Sequence, residues 1–253
     1  MVTLPRSARL AAWGTAWLRN EAGLDDVVDR VRADDEPHDA VDVPGAATAT
    51  GLSEALQALR GAGATAFLVA LPAPGDPTGL GGPADLNGYA VDAGEVVIAD
   101  GAPYALVPDV RTFGPPGDQG HLVTWMVRSA QPAPPGPSLS DADKELTAAL
   151  LAAGSTLTDL DVPSWRPEVE ALLGDIRANR ESDPLPRAFP QQAQAVAARA
   201  ARLLAVVRFA LGDDGGAVTA TEASSRRAAL QPLERASRSA LATACNALAV
   251  RQG

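Results

Sequence analysis

The chain has 253 residues, with 21 basic and 31 acidic side chains and a formal net charge of −10. Hydrophobic residues make up 46% and charged residues 21%, a globular composition that excludes wholesale disorder. A single cysteine excludes an intramolecular disulfide, and with two histidines, His38 and His121, thiolate-rich zinc sites and multi-histidine metal sites are excluded as well.

Lys144 is the only lysine. Together with the many arginines, alanines, prolines and glycines, this has the look of high-GC bacterial codon usage. The arginine preference is therefore not read as anion recognition. The most apolar stretch, Ala193–Leu211, carries Arg199, Arg202 and Arg208, which argues against a membrane span. The N-terminal apolar run is interrupted by Gly14 and soon meets Arg19, a poor match to an export signal. A cytoplasmic location is the expectation, and the lone Cys245 agrees with it.

In chain order, Ala8–Leu18 reads as a helix, with Leu10, Trp13 and Trp17 at helical spacing. Leu24–Val31 reads as a second helix, Ala40–Val43 as a short strand, and Ser53–Arg60 as a third helix closed by Gly61 and Gly63. Thr65–Leu71 is the strongest strand, a continuous apolar run suited to cover on both faces. A short helix over Ala84–Ala93 and a strand over Glu95–Ala99 follow. Tyr104–Val107 and His121–Arg128 are further strands, separated by FGPPGDQG. In the last strand Leu122, Thr124 and Met126 alternate with Val123, Trp125 and Val127.

Residues 131–137, QPAPPGP, continue neither a helix nor a central strand and mark a boundary. Beyond it the period is helical. Ser140 is the expected first cap, followed by a stripe of Leu146, Leu150, Ala153, Leu157 and Leu160. A helix opens at Ser164 and buries Val169, Leu172, Leu173 and Ile176. Another covers Gln191–Leu211. After the turn at 212–216, Thr219–Glu222 fits a capping box for a last helix running to about Val250, which Pro232 is expected to kink or split. The fold expected is α+β: an acidic mixed α/β domain over 1–130 with covering helices, a proline-rich linker over 131–138, and an alanine-rich antiparallel bundle of four helices over 139–253.

Chemistry is sought first in Pro72–Asn87, a Pro/Gly-rich loop leaving the carboxyl end of the best strand, where open α/β sheets bind ligands. Asp76, Asp85, Asn87 and His121 are the candidate ligand-binding residues. Gly79-Leu-Gly81-Gly-Pro-Ala84 matches a dinucleotide fingerprint in letters only. Seven residues separate it from the strand, and Pro83 lacks an N–H that a pyrophosphate would need. The acidic run Asp34–Asp42 surrounds His38 and is read as a solvated loop, with cation binding or a raised histidine pKa as the sharper alternatives. His121 is read as capping a strand, and Cys245 as an inert buried thiol. Trp13 and Trp17 share a helix face, as core or as anchors for a partner. Arg226 and Arg227, adjacent in the last helix within a net-basic C-terminal stretch, are candidate partner-binding residues with Trp13 and Trp17. No aromatic-interleaved basic patch accompanies them.

The leading expectation is a non-catalytic interaction, regulatory or scaffold protein that contacts a protein partner or a second copy of itself. The alternatives are small-molecule binding or catalysis under the Pro72–Asn87 loop, and nucleic-acid binding through the final helices. No cofactor, metal or membrane partner is assigned.

Overall fold

A computed structural model describes residues 3–115, 118–159, 185–212 and 220–249. Helices α1 (Arg6–Leu18) and α2 (Leu24–Arg32) come first, then strands β1 (Asp39–Val41) and β2 (Thr50–Gly51) and helix α3 (Leu52–Gly61). Strand β3 (Ala66–Ala70), helix α4 (Ala84–Ala93) and strand β4 (Val96–Asp100) follow. Strands β5 (Tyr104–Phe113) and β6 (Gly120–Ser129) complete the sheet. Helices α5 (Leu139–Asp159), α6 (Gln191–Gly212) and α7 (Ala220–Cys245) lie beyond the proline run.

The sheet has six strands in the order β2-β1-β6-β5-β4-β3. Only β1 and β6 are parallel; every other neighbouring pair is antiparallel. The sheet is therefore mixed, but mainly antiparallel, and the ligand-site rule for parallel open sheets does not carry over to the end of β3. The β5–β6 hairpin pairs over ten positions, from Tyr104 opposite Ser129 to Phe113 opposite Gly120. Strand β5 is thus much longer than its apolar start, Tyr104–Val107, predicts. Its far half carries Asp109, Arg111 and Thr112, whose polarity hides the strand from a hydrophobicity reading.

Alternation in β6 is as the sequence indicates. Val123, Trp125 and Val127 are buried, while Leu122 is exposed and Thr124 and Met126 are partly covered. The buried row shares its face with Phe67 and Val69 of β3 and Val97 and Ala99 of β4. Helix α1 packs on this inner face and comes so close that Gly14 touches the Phe67 ring. On the opposite face, Leu86 and Ala90 of α4 close a cluster with Ala70, Val96, Ile98, Ala105 and Val107.

The strongest strand in the sequence, β3, is an edge strand. An open edge exposes unpaired backbone groups. Here two side chains stand in for the missing neighbour. The Thr15 hydroxyl donates to Phe67 O (3.0 Å) and accepts from Phe67 N–H (2.9 Å). The Asn246 side-chain amide accepts from Val69 N–H (2.8 Å) and donates to Val69 O (3.0 Å).

The chain divides into two compact units. The sheet unit comprises Pro5–Gly136, Leu185–Pro190 and Cys245–Gly253; the helical unit comprises Met1–Leu4, Pro137–Pro184 and Gln191–Ala244. In the helical unit α5, α6 and α7 pack together. Arg199 of α6 reaches Asp143 and Thr147 of α5, and Arg208 of α6 faces Glu234 of α7 at 3.9 Å. Ser138 rather than Ser140 caps α5: its Oγ accepts from Asp141 N–H at 3.1 Å. Leu150 leaves the expected buried stripe and is exposed; among the described side chains of α5 the buried ones are Ala142, Leu146 and Ala153, and those of Leu157 and Leu160 lie outside the described residues. Helix α7 runs through Pro232 without interruption and ends at Cys245. The expected helix from Ser164, the turn at 213–216 and the side chains of the 219–222 capping box lie outside the described residues.

Candidate functional site

The four ligand-binding candidates do not converge. Asp76 is buried but turned back on its own loop: Ala73 and Asp76 exchange backbone hydrogen bonds, and Thr78 Oγ1 donates to the Asp76 carboxylate. Asp85 is exposed in the first turn of α4, where its charge suits the positive helix end. Asn87 is half-buried one turn further, with its Oδ1 enclosed and unbonded. His121 lies on β6, with β5 and β4 between it and β3. Three inter-strand spacings alone amount to about 14 Å. The His121 ring meets Thr112 Oγ1 at 3.2 Å, and its backbone carbonyl accepts from Glu36 N–H at 3.0 Å. The Pro72–Asn87 loop is filled by its own chain: Leu80 joins the core under α4, and Gly81 lies against the Pro132 carbonyl, with no room for a Cβ.

Trp17 is buried and Trp13 half-buried, so their shared face belongs largely to the α1–α2–α3 packing. Each ring carries a guanidinium: Arg30 lies 5.1 Å above Trp13 and Arg60 lies 5.2 Å above Trp17. Trp17, Leu24, Gln57, Arg60 and Gly61 border an open surface cleft of about 570 Å³. Arg227 is exposed on α7, and the Arg226 side chain lies outside the described residues. The Cys245 thiol is fully buried, and burial pushes its pKa up to about 12.

The acidic run around His38 is solvated at Asp34, Glu36, Asp39 and Asp42, as expected, but Asp35 and His38 turn inward. His38 is 5% exposed and sits in a buried polar chain. Trp125 Nε1–H donates to His38 Nδ1 at 3.2 Å. An indole nitrogen can only donate, so Nδ1 is an acceptor and the ring proton sits on Nε2. That proton faces Asp35 Oδ2 at 3.3 Å. The Arg6 guanidinium grips the same carboxylate twice, Nε to Oδ2 at 2.6 Å and Nη2 to Oδ1 at 2.7 Å. Arg9 stands 4.0 Å from Oδ2.

The pKa directions follow from this geometry. Burial lowers His38, and the charges of Arg6 and Arg9 add to that, against the Asp35 bond and charge, which raise it. This is the reverse of the raised pKa that the surrounding acids suggest. Desolvation pushes Asp35 up, but the Arg6 bond and charge and the His38 bond outweigh it, and the net shift is downward. Nearby, Glu95 Oε2 accepts from Ser7 N–H at 2.7 Å and so caps α1 from a distance, where Pro5 offers no side chain for the purpose. Desolvation raises the Glu95 pKa against that bond and the charges of Arg6 and Arg9.

A second feature is the outer face of the hairpin, the part that α4 leaves open. Leu122 (49% exposed) and Phe113 (45%) are diagonal neighbours there. Six residues further along β6, Arg128 lies 5.5 Å from the ring centre of Tyr89 of α4 (46% exposed). The charges around it pair among themselves, Arg111 with Asp109 at 3.2 Å and Arg128 with Asp42.

These features define a class: a mixed-sheet portion with an apolar outer surface and a buried polar chain, continued by packed helices. Comparison with known families gives two matches, to the Rv1486c-like protein, N-terminal domain, over residues 7–142 and to the Rv1486c-like protein, C-terminal domain, over residues 140–242. The first spans more than half of the chain, and the protein belongs to the Rv1486c-like family. No curated protein and no solved structure matches the chain. Among the described residues, no helix is long and apolar enough to cross a membrane.

Proposed function

We propose that this chain acts without catalysis, as an interaction or scaffold protein, and that the outer face of the β5–β6 hairpin is the surface it presents to a protein partner. The observation that carries this reading is the exposure of Leu122 and Phe113 as diagonal neighbours on one sheet face. Aliphatic and aromatic side chains left bare together on a sheet face mark contact surfaces. The flanking arginines are already matched to Asp109 and Asp42. The surface therefore offers apolar contact inside a self-neutralised rim, which fits an apolar protein face better than a phosphate backbone. Catalysis fits less well. Both ring nitrogens of His38 are engaged, the Cys245 thiol is enclosed, and Asp76 is bonded within its own loop.

A photo-reactive phenylalanine analogue placed at position 122, at 113, and at the exposed control position Glu54 tests the reading in the native cell. Discrete adducts at 122 and 113 that are absent at 54 are expected, with the adduct at 113 abolished by Leu122→Asp. Adducts formed equally at all three positions would refute it. An adduct with the chain itself would identify the partner as a second copy.

A further inference from the structure

We propose that the Asp35–His38–Trp125 chain is an acid-released latch between α1, the turn before β1, and β6. The turn reaches in three directions. Arg6 of α1 holds Asp35 through two bonds. Glu36 N–H is bonded to His121 O of β6, and His38 O accepts from Leu52 N–H at the start of α3. The His38 ring links this turn to Trp125.

That link tolerates one protonation state. Trp125 supplies a hydrogen and accepts none, so it needs a bare Nδ1. A proton added to the imidazole lands on Nδ1 and sets two N–H groups against each other across 3.2 Å. The new imidazolium keeps its Nε2–H on Asp35, where the carboxylate charge now attracts it more strongly. The ring is thereby held to the turn and repelled from β6, and the connection that opens is the one to Trp125.

The surrounding charges decide the direction. Arg6 and Arg9 of α1 face the ring and oppose the added charge, and Asp35 favours it. Glu95, ahead of β4, lies behind the two arginines on Ser7. α3 contributes only the Leu52 N–H, and Asp39 of β1 pairs opposite Thr124, on the other face of the sheet. Burial, with both arginines, makes proton uptake costly while the latch is shut. The latch therefore opens in mild acid and recloses when neutralised.

The test is nuclear magnetic resonance of the full chain between about pH 7.5 and pH 5, the range in which histidine changes charge, with circular dichroism verifying that the fold persists. At the upper end His38 should show the tautomer with the proton on Nε2. On acidification both nitrogens should be protonated. In step with this, solvent exchange of the Trp125 indole N–H, taken relative to the intrinsic indole exchange rate at each pH, should accelerate by about tenfold, the factor corresponding to loss of one hydrogen bond. In His38→Gln the amide oxygen can still accept from Trp125 but does not titrate, so the acceleration should vanish. In His121→Gln it should remain. A Trp125 signal independent of pH, an unchanged response in His38→Gln, or a wild-type His38 with its proton on Nδ1 at neutral pH would overturn the proposal. The tautomer measurement is made on the wild type and decides the matter even if His38→Gln does not fold.

Discussion

Asp35 is a carboxylate with 7% of its side chain exposed, and Arg6 supplies two of its hydrogen bonds. Replacing Arg6 by Met would leave that charge enclosed with only His38 and the more distant Arg9. Breaking a buried pair from one side costs about 3 kcal/mol or more, and partial exposure of Arg6 places this case at the low end. Urea unfolding should show that loss, and Arg6→Met with Asp35→Leu should cost less than the sum of the two single changes. The pH dependence has two steps of the same sign. The folded pKa of His38 lies below its ordinary 6.5, so the unfolded chain takes up the proton first. Stability is then full above that value and falls as pH drops from it toward the folded pKa. Asp35 is depressed below 3.8, so its contribution is full above that value and is lost as pH falls through the lower folded pKa. Glu95 is raised, so its effect runs the other way: stability declines as pH rises from 4.5 toward the folded value. His38→Gln should remove the first step and leave the second, as read from unfolding midpoints across pH. None of this was legible in the sequence. Five acids close to one histidine look like a water-facing loop, and the groups that bury it, Arg6 and Trp125, lie 32 residues before and 87 after it in sequence.

At the scale of elements, two helix-interior glycines that look alike in sequence should respond with opposite signs. In α4, a Cβ on Gly88 would meet nothing within 4 Å, and an alanine there should stabilise by about 0.5–1 kcal/mol through backbone entropy. In α1, a Cβ on Gly14 would stand 2.7 Å from Phe67 Cδ2, a ring with no exposed surface. The same propensity gain is set against overpacking of about 1–3 kcal/mol, and the net outcome should be destabilisation. Thermal or urea unfolding of Gly14→Ala and Gly88→Ala checks the pair. The sealed edge of β3 makes a comparable contrast. Thr15→Val should release the Phe67 amide to hydrogen exchange and leave Val69 protected, whereas Asn246→Ala should do the reverse. Each should cost about 2 kcal/mol for two unmet backbone groups. The strands β3, β4 and β6 were readable because their apolar pattern is local. That β3 is an edge was not readable, since its apolar run fits a central strand equally well. What distinguishes it is a threonine from α1 and an asparagine 177 positions away.

At the scale of the molecule, the proline run at 131–137 is visible in sequence, and the chain passes from sheet unit to helical unit at Gly136. Composition cannot show that the sheet unit resumes twice further on, at Leu185–Pro190 and from Cys245 onward. Those returns bring Leu185, Phe189 and Leu248, all buried, together with Asn246 on the β3 edge. A fragment ending at Gly136 would retain all six strands and yet lack these residues. Burying a large apolar side chain contributes about 1.5–3 kcal/mol, and the two Asn246 bonds add about 1 kcal/mol each. Because whole domains are stable by only about 5–15 kcal/mol, losses of this size decide whether such a fragment folds. It is expected to lose protection first at Val69, next to the vacated edge, and to unfold at lower urea concentration than the sheet unit of the full chain. Hydrogen exchange on both molecules compares them residue by residue. Equal protection at Val69 would mean that the returning segments rest on the sheet without supporting it. Faster exchange beginning at Val69 and spreading through β3 into β4 would show that the edge is held by the far end of the chain.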